Sequence, residues 1–588
     1  MNLPTDKLSQ SSIENITKWL SDPKYLEYKD ELQKMIDDQK WQELEDSFFK
    51  VIEFGTGGRR GTTGIGSNRI NRVTIGESAQ ALCNYAIKVD EDARDKGIVI
   101  GYDARLSSPE LSRVAAEVVV ANGFKTYMFE SFRSTPELSF AVRELGCKAG
   151  IVISASHNPP MDNGFKAYWS DGGQVVPPQD KGIVAEIDLI DEIKKIDFDE
   201  AIKSEKIILI GKEIDEKYIA ATTAEALGND RDVNIVYSPL HGAGQTNVLP
   251  TLRTAGFRNI SLVESQMVPD GNFPTIPNGK PNPEELSAND MAVEQMMKES
   301  ADIAITNDPD ADRVCVIVRQ GSKPIYLTGN QAAVIATDYA LSKLSESGKL
   351  TPKHYIVKTI VTTDMLDALA HKYNVKIYGN LLIGFKYIGE LLTSKEATDE
   401  KFVIGGEESL GLLKGTYARD KDAATGALPI AEYAAELKKS KKTLYDKLLE
   451  LFKEHGIYVE KLSNLVYPGA TGFSKMKDIM NSLQNNPPSK IGDYEVTAVL
   501  DYNTLIRRDL KTGETSPIDC IKGNVIVLEF GDHRNRLTIR PSGTEPKIKV
   551  YAQWYKLSER DDVEKQYHEL EAELDNIIKQ LEDTMTNI

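Results

Sequence analysis

Short apolar, β-branched runs alternate with helical stretches along this chain, and that alternation restricts its fold more than any other feature. Ala149-Gly150-Ile151-Val152-Ile153 has no polar member, and its length and branching predict a buried strand. Upstream, Gly97-Ile98-Val99-Ile100-Gly101 leads through a helix expected over about 108–122 into Lys125-Thr126-Tyr127-Met128-Phe129. Strands that alternate with helices form largely parallel sheets with helical cover. A second unit of this kind is expected from about 206 and a third from about 323. From 458 the pattern changes to alternating strands (Arg536–Arg540, Lys547–Tyr551) followed by an amphipathic helix over 558–584. At 588 residues the chain exceeds what one core serves.

Residues 10–50 space apolar and aromatic positions among charges, which predicts two short amphipathic helices broken near Asp22-Pro23, a cap packed on the body. The Pro- and Asn-rich stretch 268–283 is expected to lie ordered against a neighbour.

Charge and cysteine content exclude several classes of function. A net charge of −18 argues against nucleic acid or an anionic membrane as partner. No apolar run reaches membrane-spanning length, and the N-terminus shows no signal-peptide pattern. Cys83, Cys147, Cys315 and Cys520 are scattered without CxxC spacing, which fits a reducing, cytoplasmic setting.

Four stretches carry chemistry. Ser154-Ala155-Ser156-His157-Asn158-Pro159-Pro160 follows the strand at 149–153, so the Ser156 hydroxyl stands where open α/β sheets place ligands. His157 and Lys166 are its candidate activating groups, although neighbours on extended backbone face opposite ways. Asp308, Asp310 and Asp312 recur at i, i+2 and i+4 after the apolar run 301–306. Hard oxygen ligands without His or Cys point to magnesium or calcium, and Arg313 in place of the turn glycine rules out an EF-hand loop. Glu407, Glu408 and Ser409 form a glycine-flanked polar turn suited to sugar hydroxyls. Arg540-Pro541-Ser542-Gly543-Thr544-Glu545-Pro546-Lys547 combines cations, hydroxyls and glycine amides in one tight phosphate cradle. A fifth, Phe54-Gly55-Thr56-Gly57-Gly58-Arg59-Arg60-Gly61, could hold a phosphate but fits neither the Walker nor the dinucleotide template.

These motifs, in this order, closely resemble those of the α-D-phosphohexomutases, the phosphoglucomutase and phosphomannomutase superfamily, from about Phe54 to the C-terminal region. The resemblance implies an α/β fold of four domains, three related α/β units with mixed sheets and a C-terminal α+β domain, around a central cleft. The expected divisions are a helical extension 1–50, a phosphoserine domain 51–205, a metal-binding domain 206–322, a sugar-binding domain 323–457 and a phosphate-binding domain 458–588. By the same resemblance Ser156 carries the phosphoryl group, and Asp308, Asp310 and Asp312 bind Mg2+ that also touches Ser156. Arg60 and Arg313 lie beside the site, and Lys166, with His157 next, is the general acid/base. Lys386, Glu407, Ser409, Arg540, Ser542, Gly543, Thr544 and Lys547 would bind substrate.

The implied activity is interconversion of glucose 1-phosphate and glucose 6-phosphate through a phosphoserine and a bisphosphate, with glucose 1,6-bisphosphate as activator. The Gly-Glu-Glu-Ser form at 406–409 looks like the glucose type, and the spelling at 54–61 with Asn68-Arg69-Ile70-Asn71 looks like the branch that includes phosphopentomutases. Ala423 replaces the glycine of the family's Lys-Asp-Gly segment. Pentose or mannose phosphates, or a serine-dependent phosphatase, are the alternatives. The partner is a small sugar phosphate, and the sequence leaves monomer or dimer open.

Overall fold

A computed structural model describes residues 3–55, 57–467, 472–542, 547–559 and 561–586. The chain divides into two compact units. One comprises Met1–Tyr326, Gly389–Thr398 and Gly411–Ala435; the other comprises Leu327–Ile388, Asp399–Leu410 and Glu436–Ile588.

The first unit holds two sheets. In one the strand order is Gly58–Thr62, Asp162–Trp169, Ala149–Ile153, Ile98–Tyr102, Thr126–Phe129, Ile207–Ile210. Asp162–Trp169 runs antiparallel to both its neighbours, while the remaining pairs are parallel, so the sheet is mixed. Every residue of Ala149–Ile153 is buried, because helices cover both faces. The second sheet orders Lys323–Leu327, Val314–Gln320, Ile303–Asn307, Ile235–Ser238, Ile260–Leu262. Two strands thus fall on the other side of an expected division. Ile207–Ile210 is the edge of the first sheet and Lys323–Leu327 the edge of the second. Local sequence marks a strand but not the sheet it joins.

The N-terminal region forms α-helices Gln10–Ser21, Lys29–Asp37 and Trp41–Phe48 and a 3-10 helix Pro23–Tyr28. The break at Pro23 is where it was expected, but the second expected helix is two, separated at Gln39, whose φ is +52°. Ile16, Trp19, Leu32, Leu44 and Phe48 bury together with Ile65 and Val73 of the body. The 268–283 connection packs inward through Phe273 and Ile276, against Leu240 and Ala288.

The second unit contains a parallel sheet of Lys376–Leu381, His354–Thr359 and Lys401–Gly406. Its C-terminal part is a seven-stranded sheet whose characterised pairs are all antiparallel, from Ile457–Val466 to Thr515–Pro517. Helix Val563–Thr586 buries Tyr567, Leu570, Leu574, Ile577 and Leu581, one face at three- and four-residue spacing. The α/β layers followed by an α+β domain are the fold class the sequence implied. Among the described residues no helix is long and apolar enough to cross a membrane.

Candidate active site

The first unit brings the nucleophile candidate and the aspartates together. Ser156 lies just past strand Ala149–Ile153 with φ +51°, in the left-handed region. That turn removes the extended geometry that would separate its side chain from its neighbour's, and Ser156 Oγ lies 3.2 Å from His157 Nδ1. Oγ also donates to Asp308 Oδ2 at 2.6 Å. Arg105 fixes the loop from beneath. Its Nη1 donates to Pro159 O at 2.7 Å and Asp162 O at 2.9 Å, and its Nη2 to Ser156 O at 2.6 Å and Asn158 O at 2.5 Å. Its Nε lies 3.3 Å from Asp103, and its guanidinium sits over the Phe273 ring.

The aspartate loop leaves strand Ile303–Asn307 and turns at Ala311, φ +52°. Asp308 Oδ1 accepts the N–H groups of Asp312 and Arg313, closing the turn on itself. Asp310 Oδ2 accepts Lys166 Nζ at 2.6 Å, Thr135 Oγ1 at 2.9 Å and Ser154 Oγ at 3.3 Å. Asp312 Oδ2 pairs with Lys421 Nζ at 3.0 Å, and Lys166 is 4.0 Å away. Arg313 reaches Glu284 at 3.5 Å. Arg60 is exposed on strand Gly58–Thr62, which pairs with the strand carrying Lys166.

Electrostatics make this cluster a candidate cation site. The three carboxylates are at most 2 % exposed, and one oxygen from each lies within 4.8 Å of the others. Burial and then the charges of Asp312 and Asp310 push the Asp308 carboxyl well above its ordinary range. Burial acts the same way on Asp310, but Lys166, the hydrogen bond with Asp308 and Lys421 together outweigh it and hold that carboxyl well below. Asp310 Oδ1 and Asp312 Oδ1 are buried with no hydrogen-bond partner among the described residues. Buried oxygens without donors, on converging hard ligands, fit a divalent ion such as magnesium. Burial and the charges of Arg313 and Arg60 pull the His157 imidazole well below its ordinary value, so it stands neutral.

In the second unit Glu407 is buried at the end of strand Lys401–Gly406, and Lys386 lies in the first turn of helix Phe385–Lys395, its Nζ over the Tyr387 ring. Arg540 and Lys547 flank the expected phosphate loop, whose base is closed by Ser542 N donating to Lys547 O at 2.8 Å. Gly543 and Thr544 lie outside the described residues. Glu408, Arg540 and Glu407 all act on the Tyr551 phenol, which burial pushes above its ordinary value. Ser409, half-buried, follows Glu408.

Several groups here were not anticipated: Thr135, Ser154, Lys421 and Tyr551. Ser154 could have been found, since it lies two positions before Ser156. Thr135 could not, because its contact with Asp310 spans 175 positions and depends on how two sheets dock.

Family models for phosphoglucomutase/phosphomannomutase α/β/α domains I, II and III match residues 51–194, 216–321 and 328–452. The chain belongs to this family. Its relatives include a phosphoglucomutase from Staphylococcus haemolyticus, 34% identical over 90% of this chain and 95% of the relative. Another, from Staphylococcus aureus strain MRSA252, is 34% identical over 89% and 92%. A putative phosphomannomutase from Thermus thermophilus has a similar fold, with TM-score 0.62 and 20% identity over 86% of this chain and 96% of that one. So does pp63/parafusin, a phosphoglucomutase from Paramecium, with TM-score 0.62 and 17% identity over 90% and 98%. Family membership accounts for the order of the motifs; the geometry above accounts for how the Ser156 loop and the aspartates meet within the first unit.

Proposed function

We propose that the protein is a magnesium-dependent phosphoglucomutase that interconverts glucose 1-phosphate and glucose 6-phosphate through phospho-Ser156. The observation that carries the reading is the placement of Ser156 Oγ on Asp308, inside a buried three-carboxylate cluster flanked by Lys166 and Lys421. The phosphoglucomutase relatives at 34% identity support glucose as the sugar.

Asp308, Asp310 and Asp312 with Ser156 would hold Mg2+, which supplies charge neutralisation to the phosphoryl group. In the forward half-reaction the P–Oγ bond of phospho-Ser156 breaks as a bond forms from phosphorus to O6 of glucose 1-phosphate. The O6 proton passes to Lys166 in its free amine form, our candidate base, with the neutral His157 next to Oγ as the alternative. The bisphosphate then turns over, its O1–P bond breaks, Ser156 Oγ takes the phosphoryl group back, and O1 receives a proton. Arg60 and Arg313 supply positive charge at the transferring group. We assign the sugar hydroxyls to Glu407 and Ser409, with Lys386 beside them, and the non-reacting phosphate to the loop from Arg540 through Ser542, Gly543 and Thr544 to Lys547. Glucose 1,6-bisphosphate would prime the serine.

The test is a coupled assay of glucose 6-phosphate formed from glucose 1-phosphate, with Mg2+ and catalytic glucose 1,6-bisphosphate, comparing wild type with Ser156→Ala. Ribose 1-phosphate and mannose 1-phosphate run in parallel. Turnover that collapses in the variant supports the reading; a pentose or mannose preference changes only the sugar. Inorganic phosphate without isomerised product from any sugar would overturn it in favour of a phosphatase.

A further inference from the structure

Residues before position 51 lie outside the matched family domains, yet they reach the strand that carries Arg60. That strand, Gly58–Thr62, is an edge, paired in its sheet on one side only, with Asp162–Trp169. Its alignment has little slack, because a Cβ on Gly58 would stand 1.9 Å from Phe165 O. Away from that partner its backbone is held near its ends, with Ile70 N donating to Thr62 O at 2.9 Å and a bridge from Gly58 to Gly55, and a side chain anchors the stretch between. Arg59 is 2 % exposed, and its Nη1 donates to Thr74 O at 2.8 Å and Glu77 Oε2 at 3.0 Å. Successive strand residues face opposite ways, so anchoring Arg59 sets the direction in which Arg60 leaves the strand.

Glu77 is held in turn by the N-terminal helices. Its Oε1 takes Lys24 Nζ at 3.1 Å. Lys24 is the second residue of the 3-10 helix Pro23–Tyr28, where the capping Asp22 Oδ1 accepts its backbone N–H at 2.9 Å. Tyr25 stacks on Trp19 in the buried cluster. From the same turn Tyr28 Oη accepts the backbone N–H of Arg72, at the start of the helix that bears Thr74 and Glu77. Ser47 O and Lys50 O accept from Asn68 N and Ser67 Oγ just ahead of it. One carboxylate between two poorly exposed cations is a rigid joint, since moving either cation leaves a buried charge uncompensated.

We infer that the N-terminal helices position the Arg60 strand through the relay Lys24–Glu77–Arg59, which makes Lys24, Glu77 and Arg59 positioning residues for phosphoryl transfer. Their apolar residues Ile16, Leu32 and Leu44 are fully buried in a cluster that includes Ile65 and Val73 of the body.

The kinetic half of the test rests on the mutase reading, while the hydrogen-exchange half does not. In full-length protein, Lys24→Met should raise amide exchange across 59–62 about tenfold and leave 98–102 unchanged. It should lower kcat about tenfold with the KM for glucose 1-phosphate within about twofold, as expected when a transition-state group is displaced. Lys24→Arg should restore both. Glu77→Gln should reproduce the loss, and adding Lys24→Met to it should cost little more. Wild-type exchange at 59–62 in Lys24→Met, or a rise spread evenly over the domain, would overturn the relay even if the wild type proved to have no mutase activity. Raised exchange at 59–62 with unchanged kcat would overturn its role in transfer.

Discussion

Ser156 Oγ donates to Asp308 Oδ2 at 2.6 Å across 152 positions of sequence. The bond ties the end of one sheet's strand to the aspartate loop of the next, and Ser154 Oγ and Lys166 Nζ on Asp310 Oδ2 hold the same two loops together. Burial, and after it the charges of Asp312 and Asp310, push the Asp308 carboxyl up, so in metal-free protein this residue opposes stability.

Asp308→Asn keeps the shape and the Oδ1 acceptor for the N–H groups of Asp312 and Arg313. It removes one of three crowded charges. In metal-free protein the variant should melt higher than wild type, by roughly 2 °C or more. With Mg2+ present it should lose mutase activity at least about a hundredfold. Chelation of wild type should abolish turnover, and added Mg2+ should restore it. A scanning calorimetry pair with and without chelator, read beside the coupled assay, checks both halves. A metal-free melting point below wild type would show that repulsion is not what the site stores.

Arg105 spends two nitrogens on four carbonyls of the Ser156 loop. A lysine cannot reproduce that planar fork. Arg105→Lys should therefore lower kcat by about tenfold or more through loss of loop geometry. Arg105→Met should also cost about 3–5 kcal/mol of stability, because Asp103 stays buried without its cation. Urea unfolding of Arg105→Met against Arg105→Met/Asp103→Asn separates the terms: recovery of stability without recovery of kcat is the expected outcome.

Asp422 is fully buried and accepts the hydroxyls of Tyr218 and Tyr417 and the N–H of Ala424. Burial outweighs these donors and raises its pKa from 3.8 to about 6. The folded state therefore binds a proton here that the unfolded chain releases, so stability falls as pH rises through this interval. The penalty is complete above pH 6 and amounts to about 3 kcal/mol at ~1.4 kcal/mol per tenfold. Asp422→Asn should gain on wild type progressively between pH 4 and pH 6. Chemical denaturation of both proteins across that range measures it, and a constant difference would contradict the assignment.

Much of this was legible beforehand because strands and loops are written locally. Ala149–Ile153 needed only its five side chains, and the aspartate triplet needed only its spacing. What escaped the sequence was written at a distance. Ile207–Ile210 looks alike whether it opens a second sheet or closes the first, and only its pairing with Thr126–Phe129 decides. The second N-terminal helix divides at Gln39, a non-glycine residue with positive φ that no turn motif announces. Extended backbone leaves open whether His157, a candidate activating group, faces Ser156, and the left-handed Ser156 brings the two side chains together. Strain of this kind collects where a site demands it.

In the second unit Asp364 joins two layers. It accepts Arg536 of the C-terminal sheet and Lys358 of the parallel sheet, and Lys358 also pairs with Asp367. Burial opposes its charge, but Lys358 and Arg536 prevail and hold the carboxyl far below the usual carboxylate range. A depressed folded pKa contributes stability that is present above the unfolded value near 3.8 and is lost as pH falls through the folded one. Asp364→Asn leaves both cations poorly exposed, with Arg536 losing its paired carboxylate, so it should destabilise this joint by about 3–5 kcal/mol at pH 7. The loss relative to wild type should shrink as pH falls below about 4, where protonation begins to cost the wild type the same interaction. Proteolysis of the full-length variant should begin near this joint while the amides around Ser156 keep wild-type exchange. Equal loosening around Ser156 would mean that Asp364 braces more than its own unit.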